Sequence, residues 1–158
     1  MSLDRDMALL SKVPLFSELG NEHLRLLAFS AVRTELNVDQ MLFREGSPAT
    51  SGYVVASGEL ELSTGQGRHR QFLRNCEPGS LIGEIALFVE TRRPATATAV
   101  RHTEVLEISR AMVTRMLNEY PHVALRLRAT LAERLRATVG ELNRVRQALS
   151  RIDHGKLV

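Results

Sequence analysis

Residues 82–99 read Ile82-Gly83-Glu84-Ile85-Ala86-Leu87-Phe88-Val89-Glu90-Thr91-Arg92-Arg93-Pro94-Ala95-Thr96-Ala97-Thr98-Ala99. A glycine and a glutamate precede a short apolar run, and two arginines follow it, within a stretch otherwise reading as short strands. Gly83 lets backbone approach a ligand closely, and Ile85 to Phe88 is long enough for one helical turn. The leading N–H groups of such a turn lack partners within it and favour an anion. Glu84 offers acceptor oxygens suited to a sugar hydroxyl, and Arg93 a planar fork suited to a phosphate. The alternatives are that Glu84 caps the turn or pairs with Arg93, and that Arg92-Arg93 is a surface basic pair; only Arg93 holds the register to Ala95-Thr96, and Arg92 reads as solvated.

Around this stretch the hydrophobic period is close to two. Arg33–Leu36, Gln40–Phe43, Tyr53–Ala56, Glu59–Leu62 and Arg70–Leu73 read as strands upstream; Thr96–Val100 and Glu104–Ile108 close the set. Two strands meet at Ser57-Gly58, which reads as a hairpin, and a second hairpin falls around Gly65–Gly67. Short strands between closely spaced turns predict an antiparallel β-roll, a jelly-roll-like barrel. Before it, Asp4–Ser11 reads as a short helix, Pro14 breaks the chain, and Asn21 reads as the N-cap of a helix over Glu22–Phe29.

At Ser109 the period becomes helical. Ser109 caps a helix over Arg110–Tyr120, and Pro121 suits the first turn of a second helix running to about Ile152. Its Leu131, Leu135, Thr138, Leu142, Val145, Leu149 and Ile152 recur at alternating steps of four and three, the spacing of a two-stranded coiled coil. A parallel homodimer is expected, with packing along the chain's own barrel as the alternative. The fold class is mixed α+β, a β-roll flanked by N-terminal helices and a long C-terminal dimerisation helix. Residues 1–120 form the roll unit and 121–158 the helix and tail.

Composition bounds the chemistry. A chain of 158 residues suits one domain with a full core. One cysteine, Cys76, excludes an internal disulfide and reads as a strand-end residue. The five histidines present no metal-binding pair, and no catalytic motif occurs, so an enzyme is not expected and neither is a metal or cofactor. Residues 1–109 carry 11 basic and 14 acidic side chains, whereas 110–158 carry 10 and 4. A basic helix can touch nucleic acid, but interleaved arginines more often form a solvated face. Apolar runs fall far short of the ~20 residues of a membrane span, and a cytoplasmic location with no membrane partner is expected.

Gly83-Glu84-Ile85-Ala86-Leu87, with Arg93 nine residues after Glu84 and then Ala95-Thr96, resembles the phosphate-binding cassette of cyclic nucleotide-binding domains. The resemblance implies that Glu84 holds the ribose 2′-hydroxyl, Arg93 pairs the cyclic phosphate, and the Gly83–Ala86 backbone, Ile85 included, supplies donors. Pro94 and Ala95 fall in the same contact set. One position departs: the residue after the arginine usually gives an N–H to the phosphate, and Pro94 has none. Ile108-Ser109 through Thr138 resembles the end of the roll and the dimer helix of the branch that includes the catabolite activator protein. That likeness brings Arg134 and Thr138 to the ligand, Thr138 at the base, unless Thr138 bonds back to its own helix. Cyclic AMP is the expected ligand and cyclic GMP the alternative, because guanine-preferring relatives often carry threonine where Pro94 stands. The resemblance implies a homodimeric sensor acting on an unidentified downstream protein, without a DNA-binding domain in this chain. The alternatives are an interaction scaffold that has lost its ligand and the sensor half of a transcription regulator.

Overall fold

The computed structural model describes residues 3–134. Helix α1 (Leu3–Ser11) and helix α2 (Asn21–Ser30) open the chain, joined through a 3-10 turn at Pro14–Phe16. Asn21 is not the cap of α2. Gly20 occupies that position, with no side-chain bond, and its carbonyl accepts from the amides of His23 and Leu24 at 3.1 and 3.0 Å. The helix therefore starts one residue early, with Asn21 inside it.

Ten strands follow: β1 (Val32–Leu36), β2 (Met41–Phe43), β3 (Pro48–Ala49), β4 (Ser51–Ser57), β5 (Leu60–Thr64), β6 (Gln71–Cys76), β7 (Leu81–Ile82), β8 (Thr91–Arg92), β9 (Thr96–Ala99) and β10 (Thr103–Ser109). They form two four-stranded sheets, β1-β10-β4-β7 and β2-β9-β5-β6, and the short pair β3-β8, with every pairing antiparallel. The expected β5–β6 hairpin is present. The expected hairpin at Ser57-Gly58 is not, because β4 and β5 lie in different sheets. Gly58 makes the corner at φ +84°, and a Cβ there would lie 2.3 Å from the His102 carbonyl oxygen. The chain crosses between sheets where only glycine fits. The two-residue strands β3, β7 and β8 went unread because two residues show no alternation.

Alternation sorts the side chains into two cores. Along β4 and β10, Val54, Leu106 and Ile108 face the helices, packing with Leu10, Phe16, Leu27, Met116 and Leu127. Tyr53, Val55 and Val105 face the inside of the roll, with Leu36, Leu60, Leu62, Cys76, Ala95, Ala97 and Ala99. Cys76 is the buried last residue of β6, as read.

Helix α3 (Arg110–Glu119) begins at the predicted cap, where the Ser109 hydroxyl accepts the Met112 N–H at 3.1 Å. Helix α4 begins at Pro121 and is described to Arg134, burying Val123, Ala124 and Leu127. The heptad seam from Leu135 to Ile152, with Thr138, lies outside the described residues. Among those described, no helix is long and apolar enough to cross a membrane.

Candidate functional site

After β7 the chain turns at Gly83, whose φ of +83° lies in the left-handed region. A Cβ at Gly83 would lie 2.7 Å from Nη1 of Arg93 and 3.3 Å from the Ser51 carbonyl oxygen. Glycine here both makes the turn and leaves room for a guanidinium. Glu84 follows at the N-cap of a 3-10 turn over Ile85–Leu87, and its carboxylate makes no cap hydrogen bond. The Ala86 N–H donates to the Gly83 carbonyl at 3.1 Å, so this one of the expected backbone donors is engaged within the turn.

Ala86 and Leu87 are buried and anchor the turn from below. Arg110, the first residue of α3, reaches back over it. Its Nη1 donates to the carbonyls of Val89 at 2.7 Å, Ala49 at 3.3 Å and Ala86 at 3.5 Å. One side chain thereby ties the turn to the helical end of the molecule.

Strand β8 and the residue after it then bring in the two arginines. Arg92 is exposed and donates to the Gly46 carbonyl at 2.8 Å. Arg93 is only 5% exposed, with its backbone held on both sides: its N–H donates to Ser47 and its carbonyl accepts from Gly46, each at 2.8 Å. The guanidinium carbon sits 4.4 Å from the Phe43 ring centroid and 5.3 Å from that of Tyr53. Nη2 makes one long hydrogen bond, 3.4 Å to the Ser51 hydroxyl, and buried Nη1 has no hydrogen-bond partner among the described residues. Ser51 and Tyr53 both donate to Oε2 of Glu107, at 2.7 and 3.1 Å. Glu107 thus approaches Arg93 through Ser51.

Magnitudes show what this arrangement lacks. Burial pushes the Arg93 pKa below its ordinary value, while Tyr53 and Glu107 oppose that. Burial likewise pushes the Tyr53 phenol up. Stacking a cation on aromatic rings contributes about 0.5–2 kcal/mol, whereas burying a charge costs several kcal/mol. The two rings hold Arg93 in place without offsetting its desolvation. What completes the site electrostatically is an anion with acceptors for Nη1.

Gly83, Glu84, Ile85, Ala86, Arg93 and Pro94 line one pocket of about 290 Å³, together with Arg74 of β6. That volume lies near the lower end of the ~300–1,000 Å³ usual for small-molecule sites. Ala95 is buried in the inner core rather than lining it. Arg134 is the last helical residue described, and Thr138 lies beyond. A larger groove of about 810 Å³ runs along α3 past Arg110 and Glu119, but it contains neither buried polar group that lacks a hydrogen-bond partner among the described residues. Those are Arg93 and His23, and His23 packs in the bundle 4.6 Å from the Tyr120 ring and 5.6 Å from that of His122. Sequence reasoning missed the Phe43, Ser51, Tyr53 and Glu107 support of Arg93. Ser51 and Tyr53 are spaced for one strand face, and Glu107 is an acid between apolar Leu106 and Ile108; only their pairing across β4 and β10 unites them.

Known proteins resemble this chain in sequence and in fold. A family model described as "Cyclic nucleotide-binding domain" matches residues 33–120. The cyclic AMP receptor protein of Thermus thermophilus is 35% identical over 131 residues, covering 82% of this chain and 61% of its own. The crystal structure of the N-terminal domain of a transcriptional regulator from Streptomyces coelicolor A3(2) superposes with a TM-score of 0.75 at 35% identity, covering 81% of this chain and 90% of that one. A lysophospholipase nte1 of Neurospora crassa is 26% identical over 140 residues, 88% of this chain. The chain spans less than two thirds of these curated relatives, 61% of the receptor and 9% of the lysophospholipase.

Proposed function

The chain belongs to the cyclic nucleotide-binding domain family, and on that premise we propose that its 290 Å³ pocket seats a cyclic nucleotide whose phosphate pairs with Arg93. One observation carries this reading: Nη1 of Arg93 is buried without a hydrogen-bond partner among the described residues. A cyclic phosphate supplies a charge and acceptors at that place. Glu84, at the lip of the same turn, takes the ribose hydroxyl. Cyclic AMP is preferred over cyclic GMP, a choice supported by Pro94 after the arginine and by likeness to the Thermus thermophilus receptor. The protein acts as a homodimeric sensor rather than an enzyme. The heptad spacing beyond Leu131 supports the dimer. Arg110 supports a route for the signal, since it joins the cassette turn to α3.

Calorimetric titration with cyclic AMP and cyclic GMP tests the reading. Saturable heat from cyclic AMP, lost by about 100-fold or more in Arg93→Ala, is expected. No heat from either nucleotide would leave the alternative of a dimerisation scaffold that kept the fold. A second reading, the sensor half of a transcription regulator, is favoured by the 90% coverage of the Streptomyces coelicolor domain. Its test is whether the full-length gene product, in its natural reading frame, binds DNA in a ligand-dependent way.

A further inference from the structure

Strand β6 carries an arginine at a position whose register belongs to the core. Residues directly opposite in an antiparallel pair share a face. Arg74 stands opposite Leu62, and Cys76 stands opposite Leu60. Leu60, Leu62 and Cys76 are all buried inside the roll. Arg74 therefore belongs to the inward face, at its exposed rim, and lines the pocket with Glu84, Arg93 and Pro94. Its charge is felt at Cys76, whose thiol burial pushes up and Arg74 pulls down.

An inward charge on an edge strand has a plain structural use, since it discourages pairing with other chains. Among the described residues β6 is such an edge, bonded only to β5. What sets Arg74 apart is the pocket it shares. On the reading above, a phosphate sits against Arg93, and the adjoining Pro94 has no N–H to offer it. A cyclic phosphate has more acceptor sites than one guanidinium fills, and a second planar fork facing the same space can take the remainder.

We propose that Arg74 is a second cationic anchor for the ligand's cyclic phosphate, donating across the pocket from β6 where Pro94 cannot. The proposal rests on the pocket being a cyclic nucleotide site. Its consequence is specific: Arg74 and position 94 serve the same group, so their substitutions are coupled.

The test is calorimetric titration of wild type, Arg74→Gln, Arg74→Lys, Pro94→Ala and the Arg74→Gln/Pro94→Ala double variant with cyclic AMP and cyclic GMP at low and high salt. Arg74→Gln is expected to weaken both nucleotides by about 10-fold and to flatten the salt dependence, because the phosphate is common to both. Arg74→Lys, keeping the charge without the fork, falls between. Pro94→Ala recovers more affinity in the Arg74→Gln background than it adds to wild type. Arg74→Gln binding both nucleotides like wild type would overturn the proposal and leave an edge-strand role. Unequal loss between the nucleotides would overturn it too, placing Arg74 against the base. In both cases wild-type binding leaves the pocket reading standing; wild type that binds neither nucleotide overturns both. Thermal unfolding matching wild type shows that each variant is folded.

Discussion

Among the described residues, the two cores each bury one polar group without a hydrogen-bond partner, and the groups differ in kind. In the bundle core, His23 lies among leucines against Tyr120 and His122. In the roll core, Arg93 lies between Phe43 and Tyr53 beside a pocket. A guanidinium carries its charge at every working pH, so its burial calls for an acceptor. The bundle is filled with large side chains such as Phe16, Leu27, Met116 and Leu127. Beside Arg93 the roll instead opens into the pocket walled by Arg74, the turn over residues 83–86 and Pro94. A buried cation with an unbonded donor beside a pocket invites an acceptor, whereas a ring packed among leucines and other rings serves structure.

Substitutions sharpen or break that contrast. Leu27→Ala should cost about 2–5 kcal/mol in chemical denaturation through the cavity it leaves, with nucleotide affinity unchanged. An equal loss of affinity would mean that the bundle belongs to the site. Gly83→Ala comes next. Left-handed backbone strain of about 1–2 kcal/mol adds to the contact with Arg93, so both melting temperature and affinity should fall together. Ser109→Ala should remove about 1 kcal/mol of stability by losing the α3 cap, again with the pocket intact. His23→Leu should change stability by less than about 1 kcal/mol, since it removes unbonded polar atoms and keeps the volume. A larger destabilisation would reveal a role for the ring that its neighbours do not show.

The fold was legible wherever periodicity was long enough to read. Seven strands, the Ser109 cap and the Pro121 helix start came from alternation and punctuation alone. Gly58 misled because a glycine corner between sheets and a glycine hairpin share one local signal; only pairing across the sheets separates them. Asn21 misled because a good cap residue yields when the preceding carbonyl already starts the helix. At the site, the residue order from Gly83 to Pro94 identified the pocket wall. The props of Arg93 are residues 43, 51, 53 and 107, distant in sequence and joined by sheet register, which no local pattern encodes. Arg74 was invisible for the same reason, since its inward face follows from standing opposite Leu62.

The central claim is that Arg93 is kept buried and charged for a ligand's phosphate at the expense of the empty fold. Burial lowers its pKa, yet a guanidinium stays protonated throughout the working pH range, so no change of pH there relieves the penalty. Thermal unfolding of wild type and Arg93→Met, each with and without saturating cyclic AMP, tests this most directly. Without nucleotide, Arg93→Met should melt at or above the wild-type temperature, because an apolar chain of similar length replaces a buried charge that Glu107 offsets only in part. With nucleotide, wild type should rise above the variant, which should not respond. Arg93→Met melting well below empty wild type, or rising equally with nucleotide, would contradict the claim.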